Sequence, residues 1–365
     1  MNISLSTYWR GVANGTRRGV PELLLKAALI PASLVYSLAQ RFRAWVYQDG
    51  VLTVHKLPSP VVSVGNITVG GTGKTPVTAC IARILLAQGL KVAVLSRGYG
   101  GTREGTTAIV SDGRKLLLTP EECGDEPFLL ASTVPGLMVL IGIDRYAAGM
   151  LAMESLKPDI FLLDDGFQHL RLHRDLNILL LDCQRPFGNG WTLPTGLLRE
   201  PKNAAARADL VMHTRCPQGA GANAESSAGA ACATRHELVD AISLTDGRSC
   251  PFDSLRGRKL LAFAGIADPN SFFKGLSDRG LNVVATVSLP DHVVYGETII
   301  ARIEAATRES GADCAITTEK DGVKLKHLPG RIADTILLAR LELVIDDPAP
   351  LMALLRNLLQ KQLQV

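Results

Sequence analysis

The sequence predicts an α/β fold: a mostly parallel sheet covered by helices, with a smaller second α/β lobe. Three observations carry this. Continuous apolar runs at 92–96, 137–141, 160–163 and 178–181 read as strands, with helical spacing between them. Strands without polar alternation belong in a sheet buried on both faces. A strand at 60–64 runs into the glycine-rich stretch 68–75 and then into helical spacing over 77–86. After residue 258 the alternation restarts, with a helix at 269–279, strands near 282–287, 313–317 and 335–345, and a helix at 297–310.

The chain has 365 residues and a formal net charge of +4, unevenly placed. Residues 1–60 hold Arg10, Arg17, Arg18, Lys26, Arg41, Arg43 and Lys56 against Glu22 and Asp49, so this stretch alone is +5. From Leu23 to Ala39 it is apolar apart from Lys26, Ser33 and Ser37, with Pro31 inside, and Arg41, Arg43, Trp45 and Tyr47 follow. A bilayer span needs about 20 apolar residues, and this run is short and proline-interrupted. It also lacks the small-residue cleavage site of a secretory signal. Arginines and aromatic rings at one end suit a helix held at a membrane interface. The alternative is a buried helix packed on the domain.

The run Thr68-Val69-Gly70-Gly71-Thr72-Gly73-Lys74-Thr75 lies between strand and helix. Such a turn aims backbone N–H groups at one point, where the helix N-terminus adds its positive end. That makes the sheet P-loop NTPase-like. Gly70, Gly71, Thr72 and Gly73 would wrap a nucleotide's phosphates, Lys74 would reach the outer ones, and Thr75 would ligate Mg²⁺. The strict pattern wants glycine where Thr68 stands; Gly70 and Gly71 still supply a permissive backbone.

The strand at 160–163 ends in Asp164-Asp165-Gly166-Phe167-Gln168-His169. An acidic strand end beside a phosphate loop is where a second Mg²⁺-holding group is expected, Asp165 first and Asp164 as a further candidate. A capped turn is the plainer alternative. In Gly124-Asp125-Glu126-Pro127 the local pattern is that of an ordinary helix start. Arg199 stands in a Pro/Gly-punctuated loop, a common place for a phosphate contact. Asp291-His292 and Thr318-Glu319-Lys320-Asp321 follow the second and third strands of the later lobe, where sheet ligands usually sit. The gap between two such lobes is the expected active site.

Seven cysteines without a Cys-x-x-Cys pair argue against a disulfide framework or zinc site and favour a reducing compartment. Repeats and arginine–aromatic interleaving are missing, so no nucleic-acid partner is expected, and no obligate protein partner is evident.

Taken together, Ser63-Val64-Gly65-Asn66, Gly71-Thr72-Gly73-Lys74-Thr75-Pro76, Ser96-Arg97-Gly98-Tyr99-Gly100, Gly124-Asp125-Glu126-Pro127, Asp164 to His169, Leu198-Arg199-Glu200-Pro201, Asp291-His292 and Thr318 to Asp321 resemble the tetraacyldisaccharide 4'-kinases of lipid A biosynthesis. The resemblance runs from the N-terminal helix to about residue 321. It implies a peripheral or monotopic enzyme on the cytoplasmic face of a Gram-negative inner membrane. Such an enzyme uses ATP and Mg²⁺ to phosphorylate the 4'-hydroxyl of a tetraacylated glucosamine disaccharide 1-phosphate, giving lipid IVA. It also implies that Asp125 works with His292 on the acceptor hydroxyl.

Two positions depart from the family pattern. Leu197 stands where proline is frequent, which predicts a looser loop around Arg199. Val293 stands where a second histidine is frequent, which leaves Asp291-His292 intact.

The expected organisation is a basic membrane-associated helical region at 1–50 and a P-loop kinase core at 51–215. A small β-ribbon near 105–118 would lie outside the core sheet. An Ala/Gly/Ser-rich linker at 216–235 and a C-terminal α/β lobe at 236–365 complete it. In the implied mechanism Asp125 is the base, with His292 orienting it or sharing the proton; Lys74, Mg²⁺ and Arg199 neutralise the transferring phosphoryl; Thr75 and Asp165 hold the metal. The competing readings are a P-loop ATPase switch and a soluble small-metabolite kinase. A GTPase is disfavoured because Thr318 stands where a guanine-reading motif wants asparagine.

Overall fold

A computed structural model of the chain describes residues 5–17, 19–217, 230–325 and 333–362. In chain order its first strands are β1 (Val61–Asn66), β2 (Val92–Ser96), β3 (Ala108–Asp112), β4 (Met138–Ile141), β5 (Ile160–Asp164), β6 (Leu176–Asp182) and β7 (Leu210–Thr214). Then come β8 (Ala230–Ser243), β9 (Ser249–Pro251), β10 (Lys259–Ala264), β11 (Asn282–Ser288), β12 (Cys314–Thr318) and β13 (Ile336–Ile345). The helices are α1 (Leu5–Ala13), α2 (Val20–Gln48), α3 (Lys74–Ala87), α4 (Pro120–Cys123), α5 (Asp125–Thr133) and α6 (Arg145–Ser155). After these come α7 (Phe252–Leu255), α8 (Pro269–Asp278), α9 (Glu297–Glu309), α10 (Glu319–Leu325) and α11 (Ala349–Gln362). Two compact units emerge: Met1–Thr78 with Gly149–Arg235 and Ile345–Val365, and Ala79–Ala148 with His236–Val344.

In the first unit β1 runs parallel to β5 on one side and β6 on the other; β7 follows β6, and the start of β8 follows β7, all parallel. Every residue of β1 and β5 is buried, as their unbroken apolar runs predict. The register pairs Val64 with Asp164 and Asn66 with Leu180, so these strands end at the same level. Beyond those ends lie the loop into α3 and Asp165, directly after the last β5 residue Asp164. Gly65 permits a close crossing there, because a Cβ on it would stand 2.7 Å from the Phe167 backbone nitrogen. Ile67, Phe167, Leu179, Leu198 and Val211 form the apolar floor.

The N-terminal run is one helix of 29 residues that continues through Pro31, so the expected short, interrupted segment is corrected. Pro21 lies in its first turn, where a missing N–H costs nothing. The buried-helix alternative fails too: Leu23, Leu24, Leu34, Val35, Leu38, Phe42 and Trp45 are half or more exposed. By length and composition α2 could cross a membrane, and only 6% of its most apolar window is buried. Its other side is pinned by polar bonds: the Ser33 hydroxyl donates to the Thr192 carbonyl (3.1 Å), and Tyr36 donates to the Arg199 carbonyl (2.9 Å).

Cys183 and Cys216 form a disulfide, against the expectation drawn from cysteine spacing. Cys183 directly follows β6 and Cys216 lies two residues past β7; the register sets Asp182 opposite Thr214, so the topology brings the two cysteines near each other. Cys80, Cys123, Cys232, Cys250 and Cys314 are free, so there is no framework among the described residues.

In the second unit β11, β10, β12 and β13 are parallel neighbours in that order, with β13 beside β8. Its two faces bury separate apolar clusters, one around Phe272, Phe273 and Leu276 of α8, the other around Phe263, Tyr295 and Ile303. The same unit holds β2 and β4 as a parallel pair, with β3 antiparallel on β4. The ribbon expected outside the sheet is corrected accordingly: its first half joins the sheet as β3, because Ile109 and Val110 bring apolar side chains that β4 can cover. Lys115, Leu116 and Leu117 fold back on it. The linker is also shorter than expected. Residues 218–229 lie outside the described residues, and 230–235 already belong to β8.

Candidate active site

The phosphate-loop residues occupy the turn from β1 into α3. Gly70 and Gly73 have φ of +129° and +76°, values that a side chain would disfavour, and they let the turn curl back on itself. Its shape is fixed from below. The Asn66 side-chain amide donates to the Thr72 hydroxyl at 2.8 Å, and the Thr214 hydroxyl donates to the Thr72 carbonyl at 2.9 Å. Lys74 and Thr75 open α3, at the positive end of its dipole.

Asp165 directly follows β5 with φ +55°, a left-handed conformation that aspartate tolerates better than most residues. Lys74 Nζ is 3.7 Å from its Oδ1, and an Arg199 guanidinium nitrogen donates to its Oδ2 at 2.8 Å. The carboxylate therefore faces both cations. Asp164, 1% exposed, is engaged deeper along α3, where it accepts from the Thr78 hydroxyl at 3.1 Å. The predicted residues Lys74, Asp165 and Arg199 are thus brought together, and Asp164 is held behind them.

The Arg199 loop is not loose. Its backbone N–H donates to the Ile67 carbonyl at 2.7 Å, Val69 donates to the Leu197 carbonyl at 2.7 Å, and Leu198 is fully buried. Backbone pairing on both sides replaces the stiffness that proline would give. A network the sequence did not reveal supports it: Gln168 donates to the Asn66 carbonyl and to Glu200, Glu200 accepts from Arg207, and Arg43 of α2 donates to the Gln168 carbonyl.

The second unit carries the other cluster. Asp125 begins α5 but caps nothing; its Oδ2 lies 3.2 Å from His292 Nδ1 and 2.8 Å from Lys324 Nζ. His292 has φ +58°, and its backbone N–H donates to the Asp291 side chain at 3.1 Å. Burial alone would raise the Asp125 carboxyl. Hydrogen bonds from His292 and Lys324, with the charge of Lys324, outweigh it and hold the group below the usual carboxylate range. Tyr99 sets its ring edge-on to His292, with centroids 6.1 Å apart. Lys320 belongs to the Thr318–Asp321 motif singled out in the sequence, but Lys324 was not. Its four-residue spacing from Lys320 on α10, which puts both on one helix face, was the available signal.

A family model described as tetraacyldisaccharide-1-P 4'-kinase matches residues 25–360. The chain belongs to this family. It is 62% identical to the tetraacyldisaccharide 4'-kinase of Pelobacter propionicus over 99% of this chain and 100% of that one. It is 55% identical to the tetraacyldisaccharide 4'-kinase of Geobacter metallireducens, over 90% of this chain and 97% of that one. Among solved structures it is similar to the family member from Aquifex aeolicus, an "apo" form in complex with ATP. That match has a TM-score of 0.79 and 35% identity, covering 92% of this chain and 99% of the other. The fold expected from the sequence, a P-loop NTPase-like sheet with a second α/β lobe, is the fold of this kinase family.

The donors around the phosphate loop suit Mg²⁺, a hard cation that takes one or two carboxylates beside phosphate oxygens and water. The Thr75 hydroxyl and the Asp165 carboxylate are both oxygen donors, and no group of three or more His, Cys, Asp or Glu among the described residues suggests a softer metal.

Proposed function

We propose that this tetraacyldisaccharide 4'-kinase family member transfers the γ-phosphoryl of ATP to the 4'-hydroxyl of a tetraacylated glucosamine disaccharide 1-phosphate, giving lipid IVA. The pairing of Asp125 with His292, 167 residues apart in sequence, carries this reading. A switch ATPase needs no base for an acceptor hydroxyl, whereas a sugar kinase does, and a carboxylate held by a histidine can serve as one.

Work is divided between two groups of residues. Gly70, Gly71, Thr72 and Gly73 bind the phosphates of ATP through backbone N–H groups, and Lys74 meets the outer ones. Thr75 and Asp165 would hold Mg²⁺, with Asp164 behind them; when bound, the ion neutralises charge on the β- and γ-phosphates. Arg199 stabilises the transferring phosphoryl as its oxygens accumulate charge. Asp125 accepts the proton of the attacking hydroxyl, and His292 orients the carboxylate or shares the proton.

The substrate's acyl chains favour an enzyme that sits at the membrane. The exposed apolar side chains of α2, with Arg41 and Arg43 at their end, support a peripheral or monotopic attachment. The use of ATP supports the cytoplasmic face of the inner membrane. The soluble-metabolite reading is disfavoured by the same helix, which would leave seven large apolar side chains in water.

Incubation with Mg²⁺-ATP and tetraacyldisaccharide 1-phosphate, followed by mass measurement of the lipid, tests the reading. One added phosphate is expected. An unmodified lipid alongside steady ATP hydrolysis would favour the switch ATPase.

A further inference from the structure

Asp125 has two contacts, and both fall on the same oxygen. His292 Nδ1 and Lys324 Nζ meet Oδ2, and among the described residues no hydrogen bond engages Oδ1. Lys324 does more than touch the carboxylate: its ammonium also donates to the Val293 carbonyl at 3.2 Å, directly after His292. One half-buried cation thus ties the start of α5 to the loop that carries the histidine.

We propose that Lys324 is a positioning residue for phosphoryl transfer: it holds Asp125 ionised by Oδ2, so that Oδ1 is turned to the acceptor hydroxyl. This rests on the reading of Asp125 as the acceptor-side base.

The surroundings make the lysine specific. Around Asp125 stand Glu126 on its own helix, Cys123 at the end of α4, Asp291 and His292 on the loop after β11, with Tyr99 against His292, Tyr295 ahead of α9, and Lys320 and Lys324 on α10. Lys320 is taken up elsewhere, 3.5 Å from Asp291 and 3.8 Å from Glu126. That leaves Lys324 as the ammonium in contact with Asp125. Its side chain is 12% exposed and that of Asp125 14%, so water screens the pair poorly. A weakly hydrated carboxylate without this cation would bind a proton more readily. It would also lose one of the two contacts that fix its rotamer. His292 depends on the same lysine, because a left-handed histidine backbone is costly and the Val293 carbonyl contact anchors it.

The test compares Lys324→Met and Lys324→Arg with the unchanged enzyme, reading kcat and KM for each substrate across pH. Lys324→Met keeps the length and apolar stem but removes the charge. Its acidic limb is expected to move up by about one pH unit. Near neutral pH kcat should fall about tenfold from lost orientation, with KM for ATP unchanged. Lys324→Arg should leave the limb in place. If Lys324→Met does not fold, Lys324→Gln takes the same measurement. An unmoved limb in the charge-free variant overturns the proposal whatever happens to kcat, and so does an equal movement in Lys324→Arg. Failure of the underlying reading looks different: Asp125→Asn would then keep turnover and profile. An inactive Asp125→Asn with an unmoved limb in Lys324→Met overturns the role of the lysine alone.

Discussion

Arg199 and Asp165 are joined by a 2.8 Å hydrogen bond between loops 34 residues apart, and Lys74 stands 3.7 Å from the other oxygen of the same carboxylate. Asp164 is buried and accepts instead from the Thr78 hydroxyl. Adjacent aspartates therefore have different neighbours, and substitution should separate them.

Asp165→Ala is expected to lose most phosphoryl transfer at any Mg²⁺ concentration, with little change in melting temperature, because its side chain is a third exposed and faces ligand. Asp164→Ala should instead cost stability, on the order of 1–3 kcal/mol, by stranding the buried Thr78 hydroxyl. Thermal melts and a Mg²⁺ titration of turnover check both. Full rescue of Asp165→Ala by high Mg²⁺ would move the metal to Asp164.

The parts legible in the sequence were those in which local chemistry is tied to chain order. A strand, a glycine turn and a helix in succession announced β1, the phosphate loop and α3. The apolar run 160–163 with two aspartates announced β5 and its end. The rest needed tertiary structure. No periodicity links Lys324 to Asp125, 199 residues earlier; α10 packing on α5 does. Likewise Pro31 suggested an interrupted segment, yet the helix continues through it. Residues 230–235 looked like linker because Ala and Thr carry little pattern, but pairing with β7 makes them strand.

ATP should be preferred over GTP. Asp321, where a guanine-reading motif would place its aspartate, is fully buried and accepts from the Gly265 backbone N–H at 3.0 Å and the Thr318 hydroxyl at 2.8 Å. A carboxylate committed to its own lobe cannot read a base. Equal kcat/KM for the two nucleotides would sink this expectation.

Replacing Leu34, Leu38 and Phe42 by Gln should release the protein from membranes, since each is more than half exposed on α2. Full burial of such side chains is worth about 1.5–3 kcal/mol apiece, so even partial insertion predicts a loss of partitioning of a hundredfold or so. Ser33 and Tyr36, which hold the 192–199 loop, are untouched in this variant. KM for the acylated substrate should therefore rise more than KM for ATP. Vesicle co-sedimentation against salt is the measurement, and unchanged partitioning would show that α2 does not anchor the protein.

The pH dependence assigns the proton. The Asp125 carboxyl lies below its usual range in the folded chain, so it stays ionised to lower pH than a free aspartate. Linkage fixes the sign for stability: the pair's contribution is complete above the unfolded value of about 3.9 and is lost as pH falls through the lower folded value. Activity follows the same group if Asp125 takes the proton. The acidic limb should then lie below the ordinary aspartate range and vanish in Asp125→Asn together with phosphoryl transfer, while ATP binding persists. A limb that survives Asp125→Asn and disappears in His292→Ala would make His292 the base and Asp125 its orienting partner. The 3.2 Å contact serves either order, because each group can hold the other in place while one accepts the proton. Rate profiles of the two single variants, set beside the unchanged enzyme, decide between them.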